Sequence, residues 1–145
     1  MSRRQAREFA LQFIFSVDFN KDENVTELLE EFNESETAFI ETDDYTKKDI
    51  EFANRLIIGT VENMKKIDEL ITKSAIGWTF DRIAKVDLAI LRLAIFEIYF
   101  LEDVPEGASA NEAVDLAKKY SADDAGSFVN GVIGKIIREK NIHSV

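Results

Sequence analysis

"KVDLAILRLAIFEIYFLEDVP", residues 85–105, decides the architecture. From Val86 to Leu101 apolar side chains point nearly all round a helix, and only Asp87, Arg92, Glu97 and Tyr99 interrupt them. A helix without a polar face must be enclosed by other helices. The run falls short of the roughly 18 apolar residues that a membrane span needs. It therefore predicts the central helix of a bundle, stopped by Pro105 and Gly107.

The flanking sequence supplies the surrounding helices. Ser2 and Gln5 form a capping box before a stripe of Ala6, Phe9, Ala10, Phe13, Ile14 and Val17. Asn24 and Glu27 open a short second helix to about Phe32, and residues 33–45 form an acidic connection. Thr46 and Asp49 cap a stripe from Ile50 to Ile71, which predicts one long helix to about Ser74, bent near Gly59. A short helical turn in "GWTFDRIAK" (77–85) follows a break at Gly77. Ser109 and Glu112 read as a capping box for "SANEAVDLAKKY" (109–120), and Ser121 caps the last helix. No strand-like alternation, internal repeat or low-complexity tract appears. The fold class is all-α, a bundle of about seven helices.

The last helix carries Ala125, Phe128, Val129, Val132, Ile133, Ile136 and Ile137 at helical spacing, yet Gly126, Gly131 and Gly134 lie among them. Each glycine costs roughly 1 kcal/mol relative to Ala. Ser127, Asn130, Gly131, Gly134 and Arg138 share the opposite side, which predicts a neighbouring helix or chain in close approach.

Composition narrows the function. The 145 residues suit one compact domain. There is no cysteine, so disulfides, thiolate nucleophiles and zinc ribbons are excluded. The one histidine, His143, lies at the C-terminus, where side chains are usually solvated. No Gly-rich phosphate loop, HExxH or metal-ligand cluster occurs, so no catalytic residue, metal or cofactor is expected. The basic-then-apolar start resembles a signal peptide, but Glu8, Gln12 and Asp18 interrupt it and no small-residue cleavage site follows. The expectation is a cytoplasmic protein without a membrane association. Residues 18–51 hold thirteen acids against three lysines, which accounts for the whole net charge of −10. The remainder is neutral and leaves room for a basic patch.

Four features carry the candidate sites. Leu11, Phe15 and Phe19 form a second apolar ridge on the first helix, suited either to another helix of the bundle or to a docking protein. Arg3, Arg4 and Arg7 cluster at its start, where they oppose the helix dipole, as solvated charges or as a phosphate-contacting arm. Lys118, Lys119 and Tyr120 end the sixth helix, suiting either dipole compensation or a nucleic-acid backbone and base. Phe128 lies at the edge of the last apolar stripe, as a packing residue or a partly exposed ring.

Three stretches together resemble the NusB family of transcription antitermination factors. They are "SRRQAREFALQFIFSVDF", "VDLAILRLAIFEIYFLEDVP" and "NEAVDLAKKYSADDAGSFVNGVIGKI", in order across essentially the whole chain. The resemblance implies two packed three-helix sub-bundles, approximately 1–75 and 78–145, and no catalysis. It implies binding of the boxA element of nascent ribosomal RNA, pairing with the small-subunit ribosomal protein NusE, and entry into an RNA polymerase antitermination complex. Carried over by motif, Arg3, Arg4, Arg7, Tyr120 and Phe128 contact RNA, with Phe128 stacked on a base. Lys118 and Lys119 adjoin that surface, and Asp124 matches an acidic position beside it. Phe15, beside Leu11, and Asp87 match positions used for NusE. Family members often have Tyr at Phe15 and some have Lys at Ser127, so one hydroxyl bond and one phosphate contact are absent here. A NusB-like domain fused to a methyltransferase is the neighbouring possibility; no Gly-rich cofactor region follows, so a stand-alone factor is expected. The alternative is a helical scaffold that forms a homodimer through the Phe15 ridge and binds no RNA.

Overall fold

The computed structural model describes residues 3–17, 27, 30 and 47–143. Their helices are α1 (Arg3–Val17), α2 (Lys47–Glu62), α3 (Met64–Ser74), α4 (Lys85–Phe100), α5 (Glu106–Tyr120) and α6 (Ala125–His143), with a 3-10 turn at Phe80–Arg82. Among the described residues there is no strand. The expected short helix at 24–32 lies outside them except for Glu27 and Glu30, both helical and exposed. The acidic connection, Phe19 and the expected caps Ser2 and Thr46 also lie outside the described residues.

Helix α4 is the axis, as its all-round apolar pattern requires. It packs against each of the other five helices, while α1 lies on α2, and α5 and α6 lie on each other. Leu88, Ile90, Leu91, Leu93 and Ile95 are fully enclosed, and they join Phe13 and Ile14 of α1, Leu56 and Ile57 of α2, and Ile133 of α6 in one core.

Three polar residues of α4 fasten it to its neighbours. Asp87 accepts a 2.5 Å hydrogen bond from the Ser121 hydroxyl at the end of α5. Arg92 forms a fork with Asp68 of α3, Nε to Oδ1 and Nη2 to Oδ2 both at 2.9 Å. Glu97 receives Arg7 of α1 and the Ser109 hydroxyl of α5, the latter at 3.0 Å. Burying such groups is tolerable only when they are paired and hydrogen-bonded.

Three local expectations are corrected. The long helix expected to bend near Gly59 is instead broken at Asn63, four residues later. The Asn63 side-chain amide donates to the Gly59 carbonyl at 2.8 Å, alongside the Asn63 backbone N–H at 3.1 Å, and the local chain leaves helical geometry at ψ 12°. Gly59 matters for packing instead. A methyl group there would sit inside the Phe96 ring of α4, so only glycine permits this approach. Ser109 does not open α5, which begins at Glu106 after Pro105; its hydroxyl donates to Glu97. Ser121 caps the C-terminus of α5 rather than the start of α6, and its hydroxyl donates to Asp87.

Candidate nucleic-acid interface

The basic start of α1 divides by helical position. Arg3 is exposed and its guanidinium lies 3.8 Å from the centre of the Phe52 ring. Arg4, also exposed, forks onto Glu112 of α5 at 3.0 and 3.1 Å and reaches Asp115 at 2.8 Å. The hydrogen bond to Glu112, then its charge, holds the Arg4 guanidinium above its usual range.

Arg7 corrects the reading of three arginines as one arm. It is only 6% exposed, and its Nη2 lies 2.7 Å from Glu97 Oε1, with Nε 3.0 Å from both carboxylate oxygens. Residue 7 falls on the buried side of α1, beside Ala6 and Ala10, so the side chain enters the core and meets the carboxylate of α4. It reaches no surface from which to hold a phosphate.

The end of α5 runs beside α1. Lys119 is exposed and pairs with Glu8 at 2.7 Å, and this bond is the main cause of its raised pKa. Tyr120 is 41% exposed. Together with Glu8, Leu11, Gln12, Phe15 and Val86 it lines a groove of about 210 Å3. The expected ridge is thereby corrected. Leu11 is only 5% exposed and belongs to the core, and Phe15 is half-buried against it. What reaches the surface is a groove floored by these side chains and walled by Val86 and Tyr120. Asp87 is 8% exposed and held by Ser121, so it underlies this region rather than presenting its carboxylate.

A second cluster forms at the corner between α5 and α6. Lys118 is exposed and lies along the first turn of α6, its Cγ 3.4 Å from where a Cβ on Gly126 would sit. Asp124 is exposed, and its carbonyl accepts the Phe128 N–H at 3.3 Å. Phe128 is half-buried at the core edge, as its place on the stripe implies. Its ring meets Trp78, with centroids 5.2 Å apart at 57°. Sequence reasoning passed over Trp78; its one signal was an aromatic following a turn glycine.

The glycines of α6 also depart from expectation. Gly126 is in ordinary contact with Lys118 and Val114 of α5; among the described residues, Gly134 has only Arg138 of its own helix close by, and Gly131 meets nothing within 4 Å. Close approach of another described helix does not explain Gly131. A further cavity of about 450 Å3 lies between α3, α4 and α6, lined by Lys73, Tyr99, Lys135 and Lys140 among others, and it too had no sequence signal. Among the described residues no cluster of acidic or histidine side chains has the arrangement of a metal site, and no helix is long and apolar enough to cross a membrane.

The structure is thus an all-helical bundle with an apolar groove beside paired surface bases and an aromatic pair at the first turn of α6. The model of the NusB family matches residues 4–138, and the chain belongs to that family. It is 42% identical over 143 residues to the transcription antitermination protein NusB of Clostridium botulinum, covering 94% of this chain and 100% of that one. The structure of T. maritima NusB superposes with a TM-score of 0.82 at 35% identity, covering 96% of this chain and 92% of the other. A crystal structure of antitermination factors NusB and NusE in complex with double-stranded RNA superposes with a TM-score of 0.79 at 32% identity, covering 96% and 99%.

Proposed function

We propose that this protein is a non-enzymatic, cytoplasmic RNA-binding antitermination factor that recognises boxA of nascent ribosomal RNA together with NusE, within an RNA polymerase antitermination complex. The observation that carries the reading is the aromatic pair at the first turn of α6, where the half-buried Phe128 meets the exposed Trp78. An accessible ring is what an unpaired base of single-stranded RNA stacks on. Arg3, Arg4, Lys119 and Tyr120 extend that surface along α1 and α5, and Asp124 borders it. Arg7 supports it from inside by fixing α1 to α4. The groove over Leu11 and Phe15 receives NusE, with Asp87 setting the end of α5 from beneath.

Titration of a fluorescently labelled boxA single strand, with and without NusE, tests this reading. Binding that tightens with NusE and weakens linearly in log–log with salt is expected. Absence of RNA binding under both conditions, together with a homodimer in sedimentation, would establish the scaffold reading instead.

A further inference from the structure

We infer that Trp78 is a second base-stacking residue, forming with Phe128 a paired aromatic platform for two unpaired bases of single-stranded RNA. The inference rests on the RNA-binding reading above and extends its surface beyond α6. Trp78 is 53% exposed, although a Trp side chain is large and apolar enough to be strongly drawn inside. It is not on a loose loop. Its backbone N–H donates to the Ala75 carbonyl at 3.1 Å, and Gly77 makes the turn at φ 83°, a conformation other residues rarely adopt. The ring is thus held outward on a closed turn.

Its contact with Phe128 is tilted, at 57° and 5.2 Å. That is an ordinary aromatic pairing distance, and a tilt, unlike a parallel stack, keeps one ring from covering the other's face. Next to Phe128 on α6, Gly131 meets none of the described residues within 4 Å, and Ser127 and Asn130 are exposed. A strand crossing from Trp78 to Phe128 therefore meets small and polar groups. Ring faces and the small, polar neighbourhood fit single-stranded RNA. The neighbouring Ile76, 74% exposed, makes a second protein copy the competing occupant.

Trp78 is the chain's one tryptophan, so its fluorescence reports this site alone. A short boxA single strand, titrated into the intact protein, is expected to quench that fluorescence with the same midpoint as the anisotropy of a labelled copy. A fully paired duplex of equal length is expected to quench far less. Trp78→Leu is expected to weaken single-strand binding about 5- to 150-fold, and Trp78→Phe much less, with both variants keeping the parent's melting temperature within a few degrees. Anisotropy showing binding without quenching, and with Trp78→Leu at parental affinity, overturns the Trp78 assignment while leaving the RNA reading intact. No RNA binding by the parent overturns both. Fluorescence that changes with protein concentration and not with RNA assigns the ring to a second copy and overturns the inference.

Discussion

Arg7 of α1 and Glu97 of α4 face each other inside the core, with Nη2 and Oε1 2.7 Å apart. The carboxylate is completed by the Ser109 hydroxyl, so three helices meet at one buried ion pair. Removing one partner leaves an uncompensated charge away from water, at about 3–5 kcal/mol. Arg7→Ala and Glu97→Ala are each expected to lower stability by that amount in urea unfolding. Arg7→Ala at parental stability but with diminished RNA binding would return Arg7 to the surface arm.

The exposed arginines behave differently. Arg3→Ala with Arg4→Ala is expected to leave folding nearly unchanged and to flatten the salt dependence of RNA binding. Each lost phosphate contact removes about 0.7 from the log–log slope for a single strand. An unchanged slope would show that neither guanidinium reaches phosphate.

Within the groove, Leu11 and Phe15 separate stability from docking. Leu11→Ala is expected to cost about 2–5 kcal/mol of folding, as for a buried leucine. Phe15→Asp is expected to weaken NusE binding at least tenfold, with a folding loss below the roughly 3 kcal/mol at which truncation of a core Phe begins. Calorimetric NusE titration with parallel thermal melts checks both. Parental NusE affinity in Phe15→Asp would remove the groove from the interface.

Phe128→Leu tests the corner. Leu preserves much of the apolar packing of this half-buried position but lacks a ring, so folding should hold while boxA affinity falls about 5-fold or more. Tyr or Trp at this position should restore binding. A Leu variant that binds as tightly as the parent would make Phe128 a packing residue.

Gly59→Ala is expected to destabilise by about 1–3 kcal/mol, because the added methyl overlaps the Phe96 ring. Combining it with Phe96→Leu should recover part of the loss, since the two positions are in contact. Simple additivity in chemical unfolding would show that the ring is not what the methyl meets.

The central helix was legible because its pattern is local: apolar residues on every side leave no alternative to enclosure. The buried stripes of α1 and α6 were legible for the same reason. Hydroxyl and charge assignments were not. Ser109 and Ser121 stand where capping residues stand, but each serves a carboxylate of α4 that no short window contains. Arg7 looks like its neighbours Arg3 and Arg4; its partner lies 90 residues away. The break at Asn63 turned on one side-chain bond to Gly59, which periodicity does not record. For the candidate site, Phe128 was readable from its place at the stripe edge, whereas Trp78 became meaningful only once the turn brought it against that ring.

Arg4 and Lys119 are held by Glu112, Asp115 and Glu8 before any ligand arrives. On a chain of net charge −10, such tethered counter-ions leave little attraction for polyanions at a distance. On the proposed function, an RNA reaching these side chains would have to displace the carboxylates as well as shed its own counterions, which shifts the discrimination between strands onto the aromatic corner.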